Sequence, residues 1–443
     1  MGFAIVVTLV VTLLLSVPVG ISLGMSAMAG LLYSSPEFLI VLPQKFLAGL
    51  DSFPLLAIPL FVLAGTLMSH GGMARRIIDM ANVFVGRIPG GLALMVIFST
   101  MFFSGISGSP SANTAAIGSV ALPAMERKKY PRAYATAVFA AAGGVSTLVP
   151  PAIDLIIIGV VAGISIGGLF AAGILPAVVN GVALMTLAYF FALKMELPLE
   201  PPMPWGEKLR VIRAGLLPLL MVVIILGGIY GGVFTPTEAS AVAVVYGFFV
   251  SLFIYRELNI GDIPQVLLKT ASLTGVVMLV LATASMMSFV LAFERIPHLL
   301  AQLITDYAYN WVVFILFVHI VFLVLGMLMD ALPPIIILMP ILVPVAEQFG
   351  MDPIHFGILV AANVGIGMIS PPVGICLFVA CGIGRTPIEE VVRREVSAAP
   401  LELCAPREAP AQRLDRARLL HLPQPRRVVG AEHEVQGAHP NLC

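Results

Sequence analysis

The sequence predicts an all-α polytopic membrane protein with two inverted repeats, each containing a re-entrant helical hairpin and a broken helix. Of its 443 residues, 59% are hydrophobic and only 11% are charged, which excludes the soluble globular class. Apolar runs long enough to cross a bilayer recur along the chain. A Pro-Pro motif between glycine-rich stretches occurs twice, at Pro150-Pro151 and at Pro371-Pro372.

The two motifs are related by a constant shift of 221 residue numbers, and other backbone-shaping residues obey the same shift. The further matches are Gly105 with Gly326, Pro123 with Pro344, Glu126 with Glu347 and Gly144 with Gly365. Overall identity between the halves is low, so the matches on glycine and proline indicate a repeat of backbone shape. Broken helices at equivalent places in two halves of a membrane protein point to a transporter's binding site.

The repeat divides the chain into successive segments. An N-terminal scaffold segment at 1–50 precedes repeat 1 at 51–194, which has a hairpin at about 90–125 and a broken helix at about 133–163. Linking scaffold helices at 195–271 lead to repeat 2 at 272–396, which has a hairpin at about 311–346 and a broken helix at about 354–384, and an atypical tail follows at 397–443. Each segment is assigned from span length and charge. The first apolar stretch, Gly2–Tyr33, is either one kinked segment or two short ones with a break near Pro18. Met73–Arg87, Ile263–Thr270 and Ile296–Tyr307 mix apolar with charged residues and predict helices at the membrane surface.

The first hairpin is predicted from arm length and charge. A glycine- and serine-rich tip, Ser104–Asn113, interrupts the apolar stretch from Gly90 to Met125, leaving arms of about 14 residues that are too short for a core of about 30 Å. Basic residues flank both arms, which places both flanks on the cytoplasmic side. The loop Glu126–Arg132 has four basic residues, whereas its counterpart Glu347–Pro353 has none. Equivalent loops with opposite charge bias predict that the repeat is inverted.

The broken helices and hairpin tips are the predicted binding site. Carbonyl and hydroxyl oxygens suit Na⁺, and half-helix N-termini suit an anion. The predicted cation-binding residues are Ser104, Ser107, Gly144, Ser146, Thr147, Gly326, Asn363, Gly365, Gly367 and Ser370. The predicted substrate-binding residues are Ser109, Ser111, Asn113 and Asp330, and the predicted helix-breaking residues are Pro150, Pro151, Pro371 and Pro372.

Packing is the alternative explanation for each small residue in this set, because membrane helices use Gly and Ser where they approach closely. Two carboxylates also lie at membrane depth, where such groups are rare and usually functional. We expect a functional role for Asp330, whereas the role of Asp154 stays open. No metal motif, nucleotide-binding glycine loop or nucleophile motif occurs, and net charge is zero. We therefore expect no enzyme activity, no cofactor, no transition metal and no nucleic-acid partner.

Several stretches resemble the large membrane (M) subunit of tripartite ATP-independent periplasmic (TRAP) transporters, of the ion transporter superfamily. They are Phe53–Met68, Gly86–Leu94, Phe102–Pro131, Val149–Gly159, Gly231–Gly247 and the Pro371-Pro372 segment. The resemblance implies a multi-pass bacterial inner-membrane subunit of a Na⁺-coupled elevator importer with scaffold and transport parts. It also implies a small four-helix membrane subunit and a periplasmic binding protein that delivers carboxylates. A passive channel and a proton-coupled carboxylate transporter are the alternatives.

The chain departs from this family after Glu395, where the resemblance implies another membrane span. Ser397–Cys443 is rich in Pro, Arg and Ala and contains no run of about 20 apolar residues. Such a composition does not favour a packed core. We expect that a shifted reading frame produces this tail; a genuine disordered tail is the alternative.

Resequencing the coding region should reveal a slip of one or two nucleotides near the codon for Val396. An apolar span should then be readable in another frame, because the helix before this position still resembles the one that leads into the last span. A confirmed sequence without such a frame, together with a protease-protected and ordered tail, would contradict this expectation.

Overall fold

The computed structural model describes residues 2–15, 17–198, 204–295 and 310–395. Every regular element within these ranges is a helix, which confirms the predicted all-α class. The atypical tail at 397–443 and the predicted surface helix Ile296–Tyr307 lie outside the described residues, so both stay predictions.

The α-helices follow one another along the chain with short connections. They are α1 (Gly2–Leu14), α2 (Val19–Ser34), α3 (Val41–Ala48), α4 (Ala57–His70), α5 (Met73–Val85), α6 (Gly91–Ser107), α7 (Pro110–Arg127), α8 (Arg132–Val145), α9 (Ile153–Ala162), α10 (Ile166–Lys194), α11 (Trp205–Tyr230), α12 (Pro236–Phe249), α13 (Ile263–Phe293), α14 (Trp311–Leu328), α15 (Leu332–Gln348), α16 (Pro353–Ile369), α17 (Ile375–Gly384) and α18 (Ile388–Glu395).

Seven helical segments in the described ranges are long and apolar enough to cross a membrane. They are Phe53–His70, Arg132–Ala162, Ile166–Lys194, Trp205–Tyr230, Pro236–Ile254, Ile260–Phe293 and Trp311–Leu328. The predicted polytopic membrane class is thereby confirmed. The first apolar stretch contains two short helices, α1 and α2, which pack against each other on either side of the break before Pro18.

The predicted surface helices differ in outcome. α5 is a separate helix that buries Ile77 and Ile78, and its place at the membrane surface stays a prediction. The separate helix predicted at Ile263–Thr270 is wrong, because these residues are the first two turns of the continuous helix α13. No Gly or Pro follows Thr270 closely enough to end the helix there, so the apolar run extends it. The predicted segment boundary between residues 271 and 272 falls inside α13.

α6 and α7 form a helical hairpin, because only Gly108 and Ser109 separate them and the two helices pack together. Gly108 has a φ of +66°, a conformation that glycine adopts without a side-chain penalty. Pro110 then begins α7, where its missing N–H costs nothing. α14 and α15 form the second hairpin, with Met329–Ala331 between them.

Both Pro-Pro pairs lie between two successive helices. α8 ends at Val145, a turn of 3₁₀ helix covers Ser146–Leu148, and α9 begins at Ile153. In the second half, α16 ends at Ile369 and α17 begins at Ile375. Proline removes a backbone donor and clashes with the preceding turn, so an α-helix cannot continue through either pair. The peptide bonds Pro150-Pro151 and Pro371-Pro372 are both cis.

The two broken helices cross where Gly144 faces Gly365, so two positions related by the 221-residue shift are in direct contact. A Cβ atom at Gly365 would lie 2.6 Å from the carbonyl oxygen of Gly144, and one at Gly144 would lie 2.8 Å from the carbonyl oxygen of Gly365. The surrounding contacts are reciprocal as well. α7 of the first hairpin packs on α17, and α15 of the second hairpin packs on α9.

Two polar details stabilise the helices that link the halves. Thr235 and Glu238 form a capping box at the start of α12, with the Thr235 N–H donating to Glu238 Oε2 at 2.8 Å. Pro218 inside α11 removes the N–H that would bond to the Ala214 carbonyl. The Tyr255 hydroxyl donates to that oxygen at 2.5 Å, so the carbonyl keeps a partner.

We expect Gly365→Ala to destabilise the folded protein by about 1–3 kcal/mol, because the added methyl overpacks the crossing. The measurement is the thermal unfolding midpoint of the detergent-purified protein. Gly382→Ala is the matched control, since a Cβ at Gly382 in α17 meets nothing within 4 Å and alanine favours helix. Equal midpoints for both variants would mean that the crossing is less close than described.

Candidate functional site

The end of α8 and the turn after it present backbone carbonyl oxygens that side chains of the first half contact. The Ser104 hydroxyl donates to the Ser146 carbonyl at 2.6 Å, which ties the first hairpin to the first break. Thr147 Oγ1 lies 3.0 Å from the Gly144 carbonyl and 3.2 Å from the Ala361 carbonyl, so it reaches from the first broken helix to the second. Ser146, Thr147, Gly144 and Gly365 are therefore close neighbours.

The tip of the first hairpin is a compact polar cluster. The Ser107 hydroxyl donates to Asn113 Oδ1, and the hydroxyls of Ser109 and Ser111 lie 3.4 Å apart. Asn113 is buried, and in the described part of the chain its Nδ2 group has no hydrogen-bond partner. The tip also bonds to the first half-helix, because the Ile153 N–H donates to the Gly108 carbonyl at 3.2 Å.

The second half has a similar arrangement with different side chains. Gly326 of α14 and Gly367 of α16 approach so closely that a Cβ at Gly367 would lie 2.7 Å from the Gly326 Cα. The Gly374 N–H donates to the Met327 carbonyl at 3.0 Å. Its donor is equivalent to that of the Ile153–Gly108 bond, because Ile153 and Gly374 are related by the 221-residue shift, whereas the acceptor Met327 lies two positions before the equivalent of Gly108.

The remaining predicted residues of the second half are Asn363 on α16 and Ser370 directly after its end. Asn363 is buried, and among the described residues nothing bonds to its Nδ2 group. The Ser370 hydroxyl donates to the Ile366 carbonyl at 2.7 Å within its own segment. Ser370 is therefore bonded locally, without a bond to the hairpin.

Two carboxyl groups lie where the second hairpin meets the first half-helix. Asp330 is exposed in the connection between α14 and α15, and its Oδ1 accepts the Ala331 N–H at 2.8 Å. Asp154 is 3% exposed in the first turn of α9. The sequence left the role of Asp154 open, and in the described part of the chain its Oδ2 atom has no hydrogen-bond partner.

The arrangement combines oxygen-rich helix ends with two buried, unbonded amide donors. The Thr147–Ala361 contact and the backbone bonds at Gly108 and Met327 were not predicted, because backbone carbonyls leave no trace in residue identity. No group of three or more His, Cys, Asp and Glu in the described ranges is placed to bind a metal ion.

Comparison with known proteins identifies the family. Residues 6–397 match the family model for the tripartite ATP-independent periplasmic transporter, DctM component. This match covers most of the chain and ends where the atypical tail begins.

Named relatives and a solved structure agree with this match. The chain is 41% identical over 372 residues to the C4-dicarboxylate TRAP transporter large permease protein DctM of Pseudomonas aeruginosa, covering 84% of this chain and 87% of the relative. It is 36% identical over 376 residues to the sialic acid TRAP transporter large permease protein SiaM of Vibrio cholerae, covering 85% and 88%. The crystal structure of the Alcanivorax borkumensis YdaH transporter has the same fold, with a TM-score of 0.52, 14% identity and coverage of 82% and 84%.

The resemblance inferred from the sequence is thereby confirmed, and it places the protein among transporter permeases and not among enzymes. The chain belongs to the DctM family, the large permease subunits of tripartite ATP-independent periplasmic transporters.

Proposed function

We propose that this chain is the large permease subunit of a secondary active, Na⁺-coupled importer of small organic anions in a bacterial inner membrane. A periplasmic binding protein delivers the substrate, and a small four-helix membrane subunit completes the complex. The observation that carries the proposal is the pair of oxygen-rich helix breaks, which meet at Gly144 and Gly365 and each contact a hairpin.

The helix breaks supply the cation ligands in this proposal. Carbonyl oxygens at the end of a helix have no partner within the helix, and hard oxygen ligands suit Na⁺. Ser104 and Thr147 bring hydroxyls to the carbonyls of the first break. Gly326 and Gly367 bring two backbones into contact at the second break. Glycine permits this approach because it has no side chain to separate the backbones.

The substrate anion binds between the hairpin tips in this proposal. The buried Asn113 Nδ2 group is a hydrogen-bond donor without an acceptor among the described residues, and an unpaired buried donor costs free energy. A substrate carboxylate would provide the acceptor. The N-termini of α9 and α17 add the positive ends of two helix dipoles.

The names of the relatives support an organic acid as substrate. The Pseudomonas protein is named for C4-dicarboxylates and the Vibrio protein for sialic acid. Both substrates carry a carboxylate on otherwise different carbon skeletons. We infer that the permease recognises the carboxylate and that the binding protein selects the rest of the molecule.

An inverted repeat with re-entrant hairpins is the proposed transport architecture, and an elevator movement of the repeat core against the scaffold is the proposed mechanism. The reciprocal packing of α7 on α17 and of α15 on α9 supports the repeat. The opposite charge of the Glu126–Arg132 and Glu347–Pro353 loops supports its inversion.

Na⁺ dependence tests the coupling ion. Uptake by the reconstituted complex with its binding protein should stop when choline replaces Na⁺ and the proton concentration is equal on both sides, because the break carbonyls would lose their cation. Accumulation of substrate against its gradient distinguishes coupled transport from a passive channel. Unchanged uptake in choline would refute Na⁺ coupling.

Variants at the hairpin tips test the substrate site. Asn113→Leu and Ser111→Leu should abolish uptake, because each replaces a polar group with an apolar side chain, and Asp330→Ala should do the same by removing a carboxylate. Membrane insertion should be unaffected. Ser119→Leu is the control, because Ser119 is exposed on the same helix as Asn113. Wild-type uptake and Na⁺ dependence in all three tip variants would mean that the tips serve only in packing.

A further inference from the structure

Ser107, the last residue of α6, makes two contacts at the tip of the first hairpin that the proposed function has not used. Its hydroxyl donates to Asn113 Oδ1 in the first turn of α7. Its Oγ also lies 3.5 Å from the backbone nitrogen of Ser109, whose N–H it accepts. Ser107 is 9% exposed and Asn113 is fully buried, so water does not compete for these contacts.

The contacts of Ser107 decide which end of the Asn113 amide is left over. A side-chain amide has an oxygen that only accepts hydrogen bonds and a nitrogen that only donates them. Since the Ser107 hydroxyl gives its single proton to Oδ1, the amide oxygen is occupied. The Asn113 Nδ2 group has no hydrogen-bond partner in the described part of the chain. The tip therefore offers a donor, and not an acceptor, to a ligand.

The reversed amide would be less favourable at this place. Nδ2 and the Ser109 N–H would then both donate to Ser107 Oγ, and the Ser107 proton would lose its acceptor. The amide oxygen would become a buried acceptor without a donor, and each unmade hydrogen bond of this kind costs free energy. Ser107 thus holds the Asn113 amide in one orientation.

Neighbouring hydroxyls are engaged elsewhere and do not replace Ser107 in this contact. The Thr114 hydroxyl, one residue after Asn113, donates to the Pro110 carbonyl at 3.0 Å. The hydroxyls of Ser109 and Ser111 lie 3.4 Å from each other. Ser107 is therefore the one side chain of the described tip that bonds to the Asn113 amide.

The backbone of the tip is held in place as well. The Asn113 N–H donates to the Ser109 carbonyl at 2.9 Å, and the Gly108 N–H donates to the Ser104 carbonyl at 3.0 Å. The Gly108 carbonyl in turn accepts the Ile153 N–H. With the backbone fixed, the freedom that remains to the amide is rotation of its own side chain, and the bond from Ser107 restricts that rotation.

The second hairpin lacks this pair. Under the 221-residue shift, Ser107 corresponds to Leu328 and Asn113 corresponds to Pro334, and neither has a polar side chain. The second hairpin nevertheless packs against its broken helix and bonds to the Gly374 N–H. Packing of a hairpin on a broken helix therefore does not require the pair, which favours a role in what the first tip binds.

We propose that Ser107 is a positioning residue for the substrate, in place of the cation-binding role predicted from the sequence. Its hydroxyl orients the Asn113 amide so that Nδ2 donates to a substrate carboxylate. An oxygen that already accepts an N–H is a poor ligand for Na⁺, because the hydrogen and the cation are both positive. This inference rests on the proposed function, which brings the substrate carboxylate to Asn113.

The test compares Ser107→Ala and Ser107→Thr with wild type in the reconstituted complex, because alanine removes the hydroxyl and threonine keeps it. Ser99→Ala is the matched control. It is the same substitution at a fully buried serine of α6 whose hydroxyl has no hydrogen-bond partner among the described residues.

Two measurements separate substrate binding from cation binding. The first is the rate of Na⁺-driven uptake, with the organic acid that the system's purified binding protein retains, identified by mass spectrometry, as the probe. The second is the thermal unfolding midpoint of the detergent-purified protein without ligand, with Na⁺ alone, and with Na⁺ and the same organic acid.

Ser107→Ala should slow uptake about tenfold, because a donor that no longer faces the carboxylate all the time loses much of a hydrogen bond to a charged group. Stabilisation by Na⁺ alone should equal that of wild type, whereas the further stabilisation by the organic acid should decrease. Ser107→Thr should recover most of the uptake rate, and Ser99→Ala should behave as wild type in both measurements.

Three results would overturn the proposal. Wild-type uptake in Ser107→Ala would mean that the hydroxyl has no role, and weaker stabilisation by Na⁺ alone would mean that it is a cation ligand. A folded Ser107→Thr that stays as slow as Ser107→Ala would mean that side-chain size matters and the hydroxyl does not.

Ser107→Cys decides the question if Ser107→Ala does not fold, because a thiol has nearly the shape of the hydroxyl and is a weak donor. Slower uptake with unchanged stabilisation by Na⁺ would support the proposal, and wild-type uptake would overturn it. Failure of the proposed function is distinguishable from both results. It would be seen in wild type itself, as uptake without any dependence on Na⁺.

Discussion

The structure depends on one constraint, which is that a backbone polar group inside a membrane must find a partner within the protein. Breaking two helices exposes carbonyls and N–H groups that water cannot reach freely. The hairpins provide the partners. Ser104 bonds to the Ser146 carbonyl of the first break, and the Gly108 and Met327 carbonyls accept the N–H groups of Ile153 and Gly374. Each hairpin therefore supplies hydrogen-bond partners to the backbone of the broken helix beside it.

The same constraint explains the glycines. Backbone can approach backbone only where no Cβ intervenes, and a Cβ at Gly365 would lie 2.6 Å from the Gly144 carbonyl. Small residues at such a crossing increase van der Waals contact, which is a main source of helix association in a bilayer. Packing and ligation are thus not competing explanations for these positions, because a close crossing also brings carbonyl oxygens together.

The charged residues do not follow the repeat that the backbone follows. The two halves share the positions of the breaks, the hairpins and the glycine crossing, but the acids Asp154 and Asp330 correspond to the uncharged residues Ile375 and Ser109 under the 221-residue shift. Because the backbone arrangement is repeated and the charge is not, the two related places can bind different ligands. The family membership is consistent with this division, because relatives named for different organic acids share the frame over more than four-fifths of this chain.

The sequence alone determined features that depend on local chemistry. Pro150-Pro151 and Pro371-Pro372 mark the breaks because two consecutive prolines remove two adjacent backbone donors, and the apolar arms around Gly108 mark a hairpin because each is too short to cross a membrane. A helix boundary inside an apolar run has no such local mark, and Ile263–Thr270 is part of α13. Only tertiary structure decided that Thr147 reaches the Ala361 carbonyl, 214 residues away. Such contacts depend on how distant helices cross, and residue identity carries no record of a backbone carbonyl or of a neighbour brought near by packing.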